Sequence, residues 1–203
     1  MPNQKLIAQG AEAKIILTKD TITKDRISKS YRIQELDKKI RKSRTKAETK
    51  LLTKAAEIIN SPIPETSKEI HKIKMPFIDG KKLSDNLDNF PLTKQKQICK
   101  QIGQDVAKLH DAEIIHGDLT TSNMILKDNK IFFIDFGLGY ISHKFEDKAV
   151  DIHLFKQALE AKHFRNWKTL FKEFETGYNK SKDSKTVFER LKAVEKRGRY
   201  KHQ

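Results

Sequence analysis

HGDLTTSN, His116 to Asn123, followed twelve residues later by Asp135-Phe136-Gly137, is the stretch on which the reading of this sequence turns. Two carboxylates and one amide oxygen, each at the end of a short apolar run, are the hard oxygen ligands that magnesium prefers when it bridges nucleotide phosphates. Asp118 and Asn123 lie five apart. That spacing lets one loop turn Asp118 towards an attacking oxygen and Asn123 towards a metal, with Asp135 as the principal metal ligand. Taken singly, an Asp before a Gly makes a turn, and a lone His satisfies a core hydrogen bond. Their joint spacing favours chemistry, with His116 fixing the loop rather than moving a proton. Gly137 is expected to permit the backbone turn after Asp135. Asp151, in AVDIHLF, is an acid on a helix whose best role is to anchor the loop's backbone by charge-assisted hydrogen bonds.

Around this core the pattern is a sheet first and helices later. Leu6-Ile7 and the alternation of Ala13, Ile15 and Leu17 predict a hairpin turning near Gly10. Lys19-Asp20 turns into a third strand with Ile22 and Lys24. Leu36, Ile40, Ala47, Leu51, Leu52, Ala55 and Ile59 recur at three- and four-residue steps, the stripe of a long helix from Gln34 to about Ile59. Ser61-Pro62 and Pro64 end it. Ile70 to Met75 reads as a fourth strand. Beyond Gly80, Ile98, Ile102, Val106 and Leu109 mark a helix, Val150, Leu154, Ala158 and Leu159 another, Phe164, Trp167, Phe171 and Phe174 a third, and Val187, Leu191 and Val194 the last. Short strand pieces are expected at Ile114-Ile115, Met124–Leu126 and Ile131–Ile134. The expected fold is α+β, a minimal two-lobed protein-kinase-like fold: N-lobe 1–75, hinge 76–80, C-lobe 81–195 and a basic tail 196–203.

Such a fold needs a cation for the nucleotide phosphates, tethered by a helical carboxylate. Lys24 and Glu48 fit, although Glu48 also suits a surface pair with Arg44, four residues earlier. QGAEA, Gln9 to Ala13, stands where a glycine-rich hairpin would cover phosphates, so Gly10, Ala11, Glu12 and Ala13 are expected at the nucleotide. Glu12 repels phosphate unless a cation or the adjacent helix compensates. At the hinge, Met75 would guard the back of the adenine site, Pro76 would offer its carbonyl and Ile78 its N–H.

The 203 residues carry a formal charge of +15, with 34% charged and 36% hydrophobic residues. No apolar run approaches bilayer length, and MPNQKLIAQG lacks the apolar core of a secretory signal, so a cytoplasmic protein with no membrane partner is expected. So cationic a surface repels itself unless a polyanion is near, with nucleic acid the leading suspect and Lys-rich solvation the alternative. The single cysteine, Cys99, is expected as an inert packed thiol.

These residues resemble the small atypical kinase of the KEOPS (EKC) complex, the PRPK family, which supports threonylcarbamoyladenosine formation in transfer RNA. QGAEA is similar to its shortened phosphate loop, and KDRISKSYR followed by ELDKKIRKSRTKAE to its third-strand and helix signature, which picks out Lys24 and Glu48. HGDLTTSN, IDFGLG and AVDIHLF resemble its catalytic, metal and anchoring segments. The resemblance implies an ATP- and Mg2+-dependent serine/threonine kinase and ATPase in which Asp118, Lys24 and Glu48 are catalytic, and Asn123 and Asp135 bind metal. It also implies three partners: the threonylcarbamoyl-transferase subunit through the C-lobe and KRGRYK tail, a small accessory subunit through the N-lobe, and tRNA. Gly117 stands where regulated kinases carry an arginine that grips an activation-loop phosphate. Thr120 replaces the loop lysine that steadies the transferred phosphate. Fifteen residues separate Asp135 from Asp151 without an A-P-E sequence, so a peptide platform is missing and water or the chain's own hydroxyls are the expected acceptors. Two other readings stand beside this one. In the first, an RNA- and partner-binding scaffold, Lys196, Arg197, Arg199 and Lys201 contact phosphates while Tyr200 stacks on a base. The second is a RIO-type or aminoglycoside-phosphotransferase-type kinase, against which Asp135-Phe136-Gly137 and the short C-terminal half argue.

Overall fold

The computed structural model describes residues 4–65 and 69–199, so Tyr200 and Lys201 of the basic ending lie outside the described residues, as does the side chain of Arg199. Strands β1 (Gln4–Gln9), β2 (Ala13–Thr18), β3 (Thr21–Arg26) and β4 (Lys72–Pro76) form an antiparallel sheet in sequential order. The register sets Lys24 opposite Ile15 on one side and Ile73 on the other, which centres its ammonium stem in the sheet. A bulge between Leu6 and Ala8 bends the edge strand β1.

Helix α1 (Gln34–Ala56) crosses behind this sheet. Its expected apolar stripe holds only in the last turns, where Leu51, Leu52 and Ala55 are buried. Further up, Leu36 is half exposed and Ala47 faces solvent, while Asp37, Thr45 and Glu48 are buried. Ion pairs drive this rotation: Asp37 accepts hydrogen bonds from Ser28, Lys29 and Arg41, and Glu48 from Lys24 and Arg26. Two cations fixed in β3 select which face of α1 turns inward.

The remainder is mainly helical: α2 (Leu83–Asn86), α3 (Leu92–Asp111), α4 (Phe145–Lys162), α5 (Trp167–Tyr178) and α6 (Ser184–Arg199), so the first basic residues of the ending continue a helix. Strand β5 (Lys81–Lys82) joins β7 (Met124–Lys127) and β8 (Lys130–Phe133), and β6 (Ile114–Ile115) pairs with β9 (Tyr140–Ile141). Pro76 ends β4 and therefore belongs to the sheet as well as to the expected hinge. Helices α3 and α5 pack backbone to backbone: a Cβ on Gly103 would lie 2.1 Å from the Phe174 carbonyl, and one on Gly177 2.0 Å from that of Lys100. In α4 the buried apolar residues are Ala149, Ile152, Phe155 and Leu159, with Val150 exposed, a shift from the expected stripe that turns Asp151 inward. Phe164 precedes α5 and is exposed rather than sharing that helix's buried face with Phe171 and Phe174.

The two parts share one hydrophobic core, running from Leu51 and Ile73 to Leu191. Behind the cleft they are also joined by polar links, since Phe133 N–H donates to the Asn60 carbonyl at 3.0 Å and Ser61 Oγ to the Phe133 carbonyl at 2.9 Å.

Candidate active site

The loop carrying Asp118 is held from beneath. Fully buried Asp151 accepts the N–H of His116 and that of Gly117, both at 2.9 Å, one on each carboxylate oxygen. His110 adds a contact at 3.2 Å, and its other ring nitrogen meets the Tyr178 hydroxyl at 2.9 Å. Burial pushes the Asp151 pKa upward, but the side-chain hydrogen bond of His110 and the backbone N–H of His116 help to outweigh it, so the carboxyl titrates below the ordinary value. The anchoring role read from AVDIHLF is what the geometry shows.

His116 works within the loop as expected. Its Nε2 contacts the Ile134 carbonyl at 3.1 Å, and its Nδ1 accepts from Asp118 N–H at 3.3 Å, an arrangement that fits a neutral ring protonated on Nε2. The ring also packs on Phe136 at 4.5 Å. A single imidazole thus ties the Asp118 loop to the segment that carries Asp135. Gly117 has φ +79°, and a Cβ there would lie 2.2 Å from the Leu138 carbonyl oxygen. Close packing as well as backbone handedness therefore demands glycine.

Asp118 and Asn123 meet directly. Asn123 Nδ2 donates to Asp118 Oδ2 at 2.8 Å and to its carbonyl at 2.9 Å, which leaves the Asn123 amide oxygen as an acceptor without a partner among the described residues. Across the cleft, Lys24 Nζ donates to Glu48 Oε1 and Asp135 Oδ1, both at 2.7 Å. Partial burial works against ionising Asp135, yet the Lys24 ammonium and the Gly137 N–H hold its pKa below the usual carboxylate range. Asp135 itself is the left-handed residue, at φ 62°, whereas Gly137 is not left-handed. A Cβ on Gly137 would instead press on the Lys24–Asp135 pair, 2.9 Å from Asp135 Oδ1 and 3.3 Å from Lys24 Nζ.

Glu48 pairs with Lys24 and not with Arg44. Its second oxygen accepts from Arg26 at 2.5 Å, a buried cation that the sequence reading passed over. The only sequence signal for it is its place two residues after Lys24 on the same strand face. Arg44 instead reaches Glu12 at 2.7 Å, so the acid in the covering hairpin is compensated by α1. Lys29 also donates to the Ala11 carbonyl.

Two adjoining cavities lie between sheet and loop. The inner one, about 280 Å3, is bordered by Ile15, Met75, Pro76, Ile78 and Asn123. The outer one, about 320 Å3, is bordered by Gly10 to Ala13, Arg44, Asp118 and Gly137. Lys24 and Asp135 border both. Phe77 N–H is spent on the Asp20 carbonyl at 2.8 Å, while the N–H of Ile78 has no partner among the described residues and so fits the hinge donor. Every residue expected to act on nucleotide or metal borders one or both cavities, Glu48 the inner one, and Arg26 borders the outer one as well. Among the described residues no group of three or more His, Cys, Asp or Glu side chains is suited to hold a metal alone. Ionised Asp135 and the Asn123 amide oxygen suit magnesium whose remaining ligands are phosphate and water oxygens.

An antiparallel sheet with one helix, a helical second half, and a cleft holding a Lys–Glu pair and an Asp–Asn–Asp triad define a protein-kinase-like protein. A family model described as the RIO domain matches residues 14–149. The KEOPS complex subunit Bud32 of Pyrococcus abyssi is 40% identical over 97% of this chain and 96% of its own length. A probable serine/threonine-protein kinase BUD32 homolog of Archaeoglobus fulgidus is 39% identical over 94% of each chain. A probable bifunctional tRNA threonylcarbamoyladenosine biosynthesis protein of Methanobrevibacter smithii is 42% identical, with this chain spanning 37% of that longer protein. In fold, the chain is similar to the Rio2 kinase of Chaetomium thermophilum, with a TM-score of 0.61 at 15% identity, covering 96% of this chain and 70% of that one. The chain belongs to the Bud32 family and carries a RIO domain, so the RIO-type reading and the KEOPS-kinase reading are not alternatives. The RIO match runs through Asp135-Phe136-Gly137 and ends at residue 149, so neither that triplet nor the short C-terminal half tells against it. No described helix is long and apolar enough to cross a membrane.

Proposed function

We propose that the chain is a magnesium- and ATP-dependent phosphotransferase with ATPase activity, serving a KEOPS-type assembly that makes threonylcarbamoyladenosine in tRNA. The observation that carries the reading is the convergence of Lys24, Glu48, Asp118, Asn123 and Asp135 on two adjoining cavities that share Lys24 and Asp135. The relatives' names supply the assembly and the RNA, and the Rio2 structure, solved with ADP and Mg2+, shows a related fold accommodating that ligand.

In this reading adenine lies against Met75 with the Pro76 carbonyl and Ile78 N–H as its edge partners. Lys24, steadied by Glu48, binds the phosphates, while Gly10 to Ala13 cover them. Asn123 and Asp135 would hold magnesium, which when bound neutralises phosphate charge. Asp118, oriented by the Asn123 amide, receives the proton of an attacking hydroxyl or water. The four segments 1–75, 76–80, 81–195 and 196–203 act as sheet lobe, hinge, helical lobe and basic tail. The helical lobe and tail face the threonylcarbamoyl-transferase subunit, and the sheet lobe the small accessory subunit.

Asp135→Ala is the test. It should abolish magnesium-dependent ATP turnover, measured with partner subunits and tRNA present, while the circular-dichroism spectrum stays that of the parent. Undiminished turnover would remove the metal assignment, and an RNA-binding scaffold would then be the better description.

A further inference from the structure

Glu12 is an acid placed where phosphates belong, and the proposed function uses its backbone in the covering hairpin but gives its carboxylate nothing to do. It is half exposed, borders the outer cavity, and pairs with Arg44 at 2.7 Å and with Arg32 at 3.8 Å. Arg44 projects from α1 into the same cavity, and among the described residues Glu12 is its charge partner.

The two cavities order the residues along the cleft. Met75 and Ile78 border only the inner one, Lys24 and Asp135 border both, and Arg44 and Asp118 border only the outer one. Since Asp118 marks the end where an acceptor is deprotonated, Arg44 stands beside the terminal phosphate rather than the inner ones. The catalytic loop offers no cation there, because Thr120 fills the position of a loop lysine. A guanidinium presents a planar fork matched to phosphate oxygens as well as to a carboxylate. Glu12 and a phosphate are therefore competitors for one group.

Resting on the nucleotide-binding reading above, we propose that Arg44 is the ligand of the terminal phosphate of the bound nucleoside triphosphate, and that Glu12 is its exchange partner, occupying Arg44 until that phosphate arrives. The hairpin acid is thus a built-in stand-in for the phosphate. It lowers the affinity for triphosphate while leaving that for diphosphate unchanged, because only a ligand reaching the outer cavity has to displace it.

Calorimetric titration with magnesium and either ADP or a non-hydrolysable ATP analogue tests this on the full chain. Arg44→Gln should weaken the analogue roughly tenfold, the scale of a lost charge-assisted contact, and change ADP affinity less than about twofold. Arg44→Lys should recover part of the loss. Glu12→Gln should tighten the analogue about two- to fivefold, the worth of an exposed ion pair, and this gain should vanish when Arg44→Gln is also present. Equal losses for both nucleotides, or no loss, or an unchanged or weakened analogue in Glu12→Gln, overturn the assignment. Parent protein that binds neither nucleotide overturns the functional reading along with it, whereas parent-like binding of both nucleotides in Arg44→Gln overturns this assignment alone.

Discussion

Asp151→Asn keeps the shape of the side chain and removes its charge. In the parent, one carboxylate oxygen accepts from Gly117 N–H while the other receives His116 N–H and His110, at 2.9, 2.9 and 3.2 Å. An amide has one oxygen, so at least one N–H must face an NH2 group, donor against donor. Hydrogen bonds to a buried charge contribute about 1.5–3 kcal/mol each, and stranding a partner in the interior adds desolvation cost, so the variant should lose about 3–5 kcal/mol. For a chain of this length that is a fall of roughly 6–20 °C in melting temperature. The sign with pH follows from the lowered carboxyl pKa. Folded Asp151 binds its proton less readily than unfolded Asp151, so its contribution is full above the ordinary carboxylate value and fades as pH drops through the folded value. Urea unfolding of both proteins at neutral pH and in the acid range below about pH 4 measures this. The gap should be wide at neutrality and narrow in acid. A gap under about 1 kcal/mol at neutral pH, or one that does not close in acid, refutes the reasoning.

Gly117→Ala combines a left-handed backbone with a 2.2 Å overlap against the Leu138 carbonyl, so urea unfolding should show a loss of about 3 kcal/mol. Glu48→Gln removes the charge facing Lys24 and Arg26, which are 8% and 5% exposed. Chemical denaturation should register about 3–5 kcal/mol, partly restored by adding Lys24→Met. The Cys99 thiol, buried within α3, is pushed up to about 12 by burial and by the nearby charge of Glu173. Alkylation followed by mass spectrometry should find it unmodified in the folded protein at pH 8 and modified only when urea unfolds it.

Much of the site is legible in the sequence because its chemistry is local. Asp118 and Asn123 sit on one loop and Asp135 follows one hairpin, so spacing alone brings them together. The order of the four-stranded sheet is legible for the same reason, since each of its strands pairs with its neighbour in the chain. What escaped depends on contacts between distant segments. The inward face of α1 is set by Lys24 and Arg26 on β3 and by Ser28 just beyond it, so hydrophobic periodicity placed Ala47 inside and left Asp37 and Thr45 out. Arg44 satisfied a helical spacing rule with Glu48, but a buried acid already holding two cations had no need of it. A turn at Gly137 was the expectation, but what a side chain there would meet is the crowded Lys24 and Asp135 groups.

The overlap at Gly117 also bears on how such a protein could acquire control. A chain of this kind cannot gain the phosphate-gripping arginine of regulated kinases by one substitution, because the first carbon of any side chain collides with the segment at Leu138 and Gly139. The backbone of both segments would have to be rebuilt together. Evolution is therefore steered towards governing such a protein from without, by whatever docks on it, and away from a switch written into its own loop.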